Sequence, residues 1–148
     1  MGTRRRAREL AMQALFYMDM RDKASAEMLE RFCGNFNPSK KTRPFFLKLV
    51  NGVLEVKGEL DALIVRFSKN WDINRMSCVD RNVMRIAVYE FLYCDDIPPK
   101  VSINEAVDIG KKFGTEESGA FINGIMDGIR AELEKEGKLK KGDTVEGK

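Results

Sequence analysis

Apolar residues recur at intervals of three and four through most of the chain, the spacing that places them on one face of an α-helix. The clearest runs are Phe46, Leu49, Val50, Val53, Leu54, Leu60, Leu63, Ile64 and Phe67, then Ile122, Ile125, Met126, Ile129 and Leu133. No useful stretch alternates apolar and polar residues as a half-buried strand does, and no internal repeat is evident. The sequence therefore predicts an all-α fold, and its 148 residues predict a single compact domain.

Helix-breaking and capping residues divide this pattern into about six to seven helices. The expected helices cover residues 3–20, 24–34, 42–70 with a break or bend at Gly58, 78–94, 103–113 and 115–135. Thr42, Ser77 and Thr115 are the predicted N-caps, because a hydroxyl accepts a hydrogen bond from a free backbone N–H of the first turn. Ser102 and Glu105 have the spacing of a capping box, which gives Glu105 a structural role.

The positive charge of the chain is concentrated at its N-terminal end. Arg4, Arg5, Arg6 and Arg8 lie within the first eight residues, which contain no acidic side chain. The net charge of the whole chain is only +3, so the remaining residues are close to neutral. Local arginine density on a nearly neutral protein predicts an anion-binding end, with nucleic acid as the leading candidate.

The residue types that carry most enzyme chemistry are absent or scattered. The chain has no histidine, which excludes His-based triads and most catalytic zinc sites. Cys33, Cys78 and Cys94 are odd in number and too far apart for a metal clip, so a reducing cytoplasm fits them best. The apolar runs are too short to span a membrane, and no uninterrupted apolar region follows the N-terminal arginines, so we expect no secretory signal. We therefore expect a cytoplasmic protein that is not an enzyme and has no catalytic residues, metal or cofactor.

The first predicted helix is apolar on two faces. One face carries alanines and leucines, and Met12 and Phe16 lie on roughly the opposite side, together with Arg5. Such a helix is either fully buried or has a partner. One interpretation places Met12 and Phe16 in the core. The other joins the arginines and this apolar strip into one surface, where arginines bind phosphate and aromatic side chains favour unstacked RNA bases.

Four segments together resemble the NusB family of bacterial transcription antitermination proteins. They are RRRARELAMQALF (4–16), NWDINRMSCVDRNVMRIAVYEFLY (70–93), DIPPKVSINEAVDIGKKFG (96–114) and ESGAFINGIMDGI (117–129). The resemblance implies two small helical bundles that bind boxA RNA together with NusE, a ribosomal protein that also acts in antitermination. It further implies that this assembly joins the RNA polymerase antitermination complex and promotes transcription of ribosomal RNA genes.

The resemblance also assigns RNA-binding positions. The cluster from Arg4 to Arg8 matches the arginine-rich RNA-binding motif of the family. Arg85 and Phe121 match positions associated with RNA contact, and Glu117 lies where RNA affinity is tuned. Ala120 occupies a position where lysine is common, so one phosphate contact is expected to be lost here.

Two further positions are implied to bind the protein partner. Asp80 matches an acidic residue that faces NusE, and Phe16 matches a position that is usually tyrosine. Phe16 lacks the phenolic hydroxyl, so a hydrogen bond from that group is not expected. For Trp71 we favour a role as a bundle anchor over base stacking, and for Gly124 close packing over a hinge.

Domain bounds, a rival function and the oligomeric state concern the chain as a whole. We expect a compact domain over residues 1–135 and a mobile charged tail over 136–148. A chain of this length leaves no room for the methyltransferase domain to which the same module is fused in ribosomal-RNA cytosine methyltransferases. The rival hypothesis is a protein-interaction or dimerisation module with an incidental basic end. The sequence leaves the oligomeric state open, a homodimer included.

Overall fold

The computed structural model describes residues 2–21, 24–69 and 71–139, and over these ranges the protein is helical without any β-strand. The helices in these ranges are α1 (Thr3–Met20), α2 (Ala26–Phe36), α3 (Arg43–Glu55), α4 (Lys57–Phe67), α5 (Cys78–Tyr93), α6 (Pro99–Phe113) and α7 (Ser118–Lys135). A 3₁₀ turn over Ile73–Arg75 precedes α5. The predicted all-α fold is therefore confirmed. Residues 140–148, most of the expected tail, lie outside the described residues.

The helices form two small bundles that are held together through α1 and α5. In one bundle α1 packs on α2 and α3. In the other α5, α6 and α7 pack on one another, and α4 packs on α5 and α7. α1 and α3 also contact α5, whose residues 82–91 are all buried. Phe46 and Leu49 of α3, Met84 of α5 and Ile129 of α7 are fully buried apolar side chains of the shared core.

Two helix ends differ from the sequence predictions. α2 continues past Gly34 and ends where Asn37 adopts a left-handed conformation (φ 45°), with its N–H donating to the Cys33 carbonyl at 2.7 Å. Asparagine tolerates this conformation better than most residues, so the helix ends at Asn37 and not at Gly34. The break between α3 and α4 lies at Val56, before Gly58.

The start of α6 and the start of α7 also differ from the predictions. α6 begins at Pro99, because proline suits a first turn that needs no N–H donor, and Ser102 therefore lies inside the helix. The predicted capping box of Ser102 and Glu105 is wrong. The predicted cap at Thr115 is also wrong: α7 begins at Ser118, whose hydroxyl accepts a hydrogen bond from the Thr115 N–H at 3.0 Å.

The other predicted caps lie where expected, although one works differently. The Ser77 hydroxyl accepts a hydrogen bond from the Asp80 N–H at 3.0 Å, which confirms Ser77 as the N-cap of α5. Thr42 occupies the N-cap position of α3, but its hydroxyl caps no N–H of that helix. Ser39 instead accepts a hydrogen bond from the Thr42 N–H at 3.2 Å. Gly114 ends α6, as predicted.

The cysteine thiols are free in this fold. Burial raises the pKa of Cys94 to about 11. Burial and the nearby charge of Asp19 also raise the pKa of Cys78. Both thiols are therefore weak nucleophiles at neutral pH. None of the helices in the described ranges is long and apolar enough to cross a bilayer.

Candidate nucleic-acid interface

Arg8 belongs to the interior and not to the basic surface. Its side chain is 5% exposed and forms a bidentate ion pair with Glu90 of α5, with Nε–Oε2 at 2.7 Å and Nη2–Oε1 at 3.1 Å. The Ser102 hydroxyl donates to the same carboxylate at 2.6 Å, so α1, α5 and α6 meet at this point. A guanidinium that is buried against a carboxylate cannot reach RNA phosphate. The expectation of an RNA contact for Arg8 is corrected accordingly.

Arg5 is half-buried and fastens α1 to α6. Its Nη2 lies 2.9 Å from Glu105 Oε2 and 3.0 Å from Asp108 Oδ2. The hydrogen bond from Arg5, opposed by burial and supported by the charges of Arg5 and Arg8, lowers the pKa of Glu105. Glu105, which the sequence assigned to a cap, therefore holds the N-terminal arginines in place.

Arg4 and Arg6 are the two arginines of the cluster that remain accessible. Arg4 pairs with Asp96 at 3.0 Å on the surface, and its guanidinium lies 4.6 Å from the ring centre of Phe45. The Arg6 side chain is 54% exposed, with Glu9 as a distant partner at 3.5 Å. The Arg4–Asp96 pair is exposed on both sides and therefore weak. Glu9 is buried, but it lies 3.5 Å from the Arg6 guanidinium, which is exposed. Both guanidinium groups are therefore accessible to phosphate.

Two lysines continue this charge along the end of α6. Lys112 Nζ lies 3.1 Å from Glu9 Oε2, the carboxylate that Arg6 also approaches, and its side chain is 61% exposed. Lys111 is exposed, and no carboxylate of the described residues pairs with it. We call Arg6, Lys112 and Lys111 the cationic strip. Neither lysine was predicted as a site residue, although both stand together in the segment GKKFG.

The stem of Lys111 crosses the first turn of α7 at Gly119. A Cβ atom at Gly119 would lie 3.1 Å from Lys111 Cγ and 3.2 Å from its Cε, closer than ordinary van der Waals contact. The missing side chain of Gly119 therefore lets Lys111 lie flat against the helix. Gly124 has no atom within 4 Å of such a Cβ, so the predicted close packing at that glycine is wrong.

Trp71 and Phe121 form an aromatic pair. Trp71 lies just before the 3₁₀ turn that precedes α5, and Phe121 lies in the first turn of α7. Trp71 is 54% exposed, and its ring centre lies 5.7 Å from that of Phe121 at an angle of 46°. The pair lines a surface cavity of about 180 Å³, the aromatic cavity, whose walls are Trp71, Arg75, Met76, Ser77, Asp80, Glu117 and Phe121. Trp71 is thus not the buried bundle anchor that we predicted. Its place outside the apolar stripes was the signal for an exposed position.

Asp80 and Val79 are neighbours on α5 that face two different surfaces. Asp80 lines the aromatic cavity together with Glu117 and Phe121, which the resemblance assigned to RNA. Val79 lines an apolar groove of about 410 Å³. The groove is formed by Met12, Gln13, Phe16, Tyr17, Met20, Arg21, Phe32, Phe36, Val79 and Phe113. The structure therefore brings Asp80 to the predicted RNA residues and leaves Phe16 in the groove.

The structure separates the two residues of the second apolar face of α1. Met12 is buried at 2% exposure, as the core interpretation requires. Phe16 is only half-buried and lines the apolar groove, beside the exposed side chains of Met20 and Phe36. The second apolar face of α1 thus begins in the core and ends in an open groove.

Arg85 lies in a second buried network, at the other end of α1. Its Nε is 2.7 Å from Asp61 Oδ1 and its Nη1 is 3.0 Å from Asp19 Oδ2. Burial alone raises the pKa of Asp19, but hydrogen bonds from Asn82 and Arg81 and the charge of Arg85 outweigh it and lower that pKa. Because Arg85 is buried and fully paired, the expected RNA contact of this residue is corrected as well.

Comparisons with known proteins agree on one family. The model of the NusB family matches residues 5–131. The transcription antitermination protein NusB of Desulfatibacillum aliphaticivorans is 57% identical over 141 residues, which cover 95% of this chain and 99% of the relative. The NusB protein of Myxococcus xanthus is 48% identical over 139 residues, covering 91% and 99%.

Solved structures agree with this match. The structure of T. maritima NusB has a TM-score of 0.78 at 41% identity and covers 86% of this chain and 90% of its own. A crystal structure of the antitermination factors NusB and NusE in complex with dsRNA has a TM-score of 0.79 at 27% identity. It covers 88% of this chain and 97% of the matched one.

Proposed function

The chain belongs to the NusB family, and on that premise we propose that it is an RNA-binding transcription antitermination factor. It binds boxA-type single-stranded RNA together with the ribosomal protein NusE, joins the RNA polymerase antitermination complex and promotes processive transcription of ribosomal RNA genes. In this role it acts in the cytoplasm as an adaptor, without catalysis and without a cofactor. A similar crystal structure contains NusB together with NusE and dsRNA, which supports the proposal of NusE and RNA as the two partners.

The observation that carries RNA binding is the exposed aromatic pair. Trp71 keeps more than half of its surface accessible, although burial of a tryptophan is among the most favourable contributions of any side chain. Trp71 and Phe121 therefore present ring faces on which a base can stack, a contact worth about 1–3 kcal/mol per base. Stacking of this kind suits single-stranded RNA, because its unpaired bases are free to turn toward an aromatic side chain.

The cationic strip supplies the phosphate contacts. Arg6 and Lys112 share Glu9, which keeps both cations on one surface, and Lys111 extends that surface to the first turn of α7. Phe121 belongs to the same turn. Residues two apart on a helix point to opposite sides, so a strand that stacks a base in the aromatic cavity has to pass around this turn for its backbone to reach the strip. Arg4 adds an accessible cation at the start of α1, whereas Arg5 positions that helix.

Glu117 supports the proposal as an acidic residue at the edge of the aromatic cavity. It is exposed and lines the cavity. A negative charge there opposes the phosphate backbone and lowers the affinity for RNA. We therefore assign Glu117 a tuning role and not an attractive contact.

The apolar groove is the proposed docking site for NusE. Phe16 lies in this groove together with exposed Met20 and Phe36, and large exposed apolar side chains of this kind are typical of protein interfaces. Phe16 contributes packing without a hydroxyl hydrogen bond. Asp80 follows Val79 of the groove on α5 and lines the aromatic cavity, and it remains the acidic residue that we assign to NusE by resemblance.

The rival function is a protein-interaction or dimerisation module, and the apolar groove is the observation in its favour. A second copy of the chain and NusE are both candidates for that groove. The rival predicts no preference among RNA sequences, and the affinity for RNA would then depend on salt alone.

Titration with boxA RNA and a scrambled RNA, each with and without NusE, separates the two functions. Trp71 is the sole tryptophan, so its fluorescence reports directly on the aromatic cavity. We expect boxA RNA to quench it and to bind more tightly than the scrambled RNA, above all with NusE present. Equal affinity for both RNAs, with no quenching, would support the rival.

A further inference from the structure

Arg4 lies on the side of α1 that faces away from the cationic strip. Arg4 and Arg6 are two positions apart on one helix, so their side chains point in nearly opposite directions. Arg6 approaches Glu9, whereas Arg4 extends toward α3, where its guanidinium lies over the ring of Phe45 at 4.6 Å from the ring centre. The accessible charge at the start of α1 is therefore divided between two surfaces, the cationic strip and a surface on α3.

The surface on α3 consists of Arg4, Phe45 and Lys48, and we call it the α3 patch. Phe45 and Lys48 are three positions apart on α3, so they lie on the same face of that helix. Lys48 is exposed, and no carboxylate in the part of the chain that the structure describes pairs with it. A hydrogen bond from Arg4 lowers the pKa of Asp96, and the charge of Lys48 adds to this effect, so both cations lie near one carboxylate.

Arg4 keeps most of its hydrogen-bonding capacity for a ligand. A guanidinium carries several N–H donors, and within the described ranges Arg4 donates only to Asp96, through Nη2 at 3.0 Å. Both members of this pair are exposed, so the pair is weak. The half-buried ring of Phe45 holds the guanidinium without engaging its donors. The exposed remainder of the group can therefore stack on a planar ligand and donate to a phosphate.

We propose that the bound RNA continues past α1 onto the α3 patch, where one unpaired base stacks on the Arg4 guanidinium and Lys48 contacts a backbone phosphate. The inference rests on the proposed function and extends its RNA site to α3. Guanidinium planes are common stacking partners of unpaired RNA bases. The first turn of α1, which separates the patch from Arg6, carries no acidic residue that would repel a crossing strand. Phe45 is then a positioning residue that orients Arg4.

The test compares boxA RNA with the same RNA extended by a short run of uridines at one end or at the other. Affinity is measured by fluorescence anisotropy of labelled RNA with NusE present. Quenching of Trp71, the sole tryptophan, reports separately on the aromatic cavity. We expect the extension at one end to tighten binding about tenfold, the effect of one more stacked base, and the extension at the other end to have little effect.

Phe45→Leu should abolish this gain, because leucine fills the half-buried position but cannot hold the guanidinium. Phe45→Tyr keeps the ring and should keep the gain. Lys48→Gln should reduce the gain and lower the salt slope of the extended RNA by about 0.7, with no change for the shorter RNA. Arg31→Gln on α2 is the matched control, an exposed cation outside the patch, and should leave the gain unchanged. If Phe45→Leu does not fold, as shown by its thermal unfolding curve, the exposed Lys48→Gln still decides.

Three results would overturn the proposal. The first is equal affinity for the extended and the shorter RNAs, and the second is a gain that persists in Phe45→Leu or in Lys48→Gln. The third is that Lys48→Gln weakens only the binding of NusE, which would assign the patch to that protein. In each case boxA RNA still quenches Trp71 and the proposed function stands. If boxA RNA does not bind even with NusE present, the proposed function fails and the path over α3 fails with it.

Discussion

At the scale of single residues, burial divides the arginines of the first helix into two classes. Arg8 is enclosed with Glu90 and Ser102, whereas Arg6 extends into solvent beside Glu9. Both carry the same charge in the sequence, but only an accessible guanidinium can exchange its partner for phosphate. Charge density in a sequence therefore predicts where an anion binds, and burial decides which of the charges take part.

Arg8→Ala should lower the free energy of unfolding by about 3–5 kcal/mol, because it leaves Glu90 charged and unpaired in the interior. The measurement is urea unfolding at neutral pH. The double variant Arg8→Met with Glu90→Met is the control, and it should recover much of the loss because no buried charge remains. An Arg8→Ala protein as stable as its parent would contradict the structural role.

Arg6→Ala should leave stability within about 0.5 kcal/mol of the parent. It should weaken RNA binding and reduce the slope of log affinity against log salt by about 0.7. Arg31→Ala on α2 is the matched control, since Arg31 is equally exposed and lies outside the cationic strip. If both variants change the salt dependence alike, the effect is one of net charge and not of the strip.

Stability should be nearly constant from about pH 8 to pH 5.5 and should fall in more acidic solution. Histidine is absent, and the lowered pKa values of Asp19 and Glu105 mean that the folded protein holds these groups charged. Their contribution is present above the unfolded pKa values of 3.8 and 4.5 and is lost as pH falls toward the folded values.

Urea unfolding at a series of pH values measures this dependence. Glu105→Gln should be less stable than the parent at pH 7 but should lose less stability between about pH 5 and pH 3, because one titrating group is gone. A variant whose stability falls as steeply as that of the parent would show that Glu105 does not contribute through its charge.

At the scale of elements, the corner between α6 and α7 sets the position of Lys111. Gly119→Ala should force the lysine stem aside, because the new Cβ would lie 3.1 Å from Lys111 Cγ. We expect helix propensity to raise stability by up to about 1 kcal/mol, while the affinity for RNA falls about threefold. Urea unfolding and RNA titration give the two values.

The control for this prediction is Gly124→Ala on the same helix. Its Cβ meets open space, so it should gain helix propensity without a change in RNA affinity. In a Lys111→Gln background, Gly119→Ala should cause no further loss, because the cation it displaces is already absent. Independent losses from the two substitutions would refute the coupling of Gly119 to Lys111.

Most of the helices could be predicted from the sequence, because apolar periodicity and an N-cap such as Ser77 depend only on neighbouring residues. The predictions that failed needed tertiary information. Glu105 fits a capping box by spacing, but its partner Arg5 comes from another helix. Trp71 was predicted to be an anchor from its residue type alone, although its place outside the apolar stripes already indicated the exposed position that the structure shows. Family resemblance predicted a set of RNA positions, but it carried no information on their burial, as the buried Arg85 shows.

At the scale of the whole molecule, α1 is fastened to α5 at both of its ends. Arg8 pairs with Glu90 near the start of α1, and Asp19 pairs with Arg81 and Arg85 near its end. The two bundles therefore share their main polar contacts as well as a core. A fold linked in this way should not lose one bundle before the other.

Differential scanning calorimetry should give a single transition with equal calorimetric and van't Hoff enthalpies. Asp19→Ala should lower its midpoint by about 10 °C, from a loss of about 3 kcal/mol, and keep it single. Asp127→Ala, an exposed acid of α7, is the control and should change the midpoint by little. Two resolved transitions would show that the bundles unfold independently.

Val79 and Asp80 are successive residues of one helical turn; Val79 lines the groove proposed for NusE, and Asp80 lines the aromatic cavity proposed for RNA. A ligand that binds on one side restricts the motion of this turn. A second ligand on the other side then loses less conformational entropy of the protein and binds more tightly. Linkage then makes the effect reciprocal: the factor by which RNA tightens NusE binding equals the factor by which NusE tightens RNA binding. The order of assembly is therefore free to differ between transcripts, while the final complex has the same stability by either route.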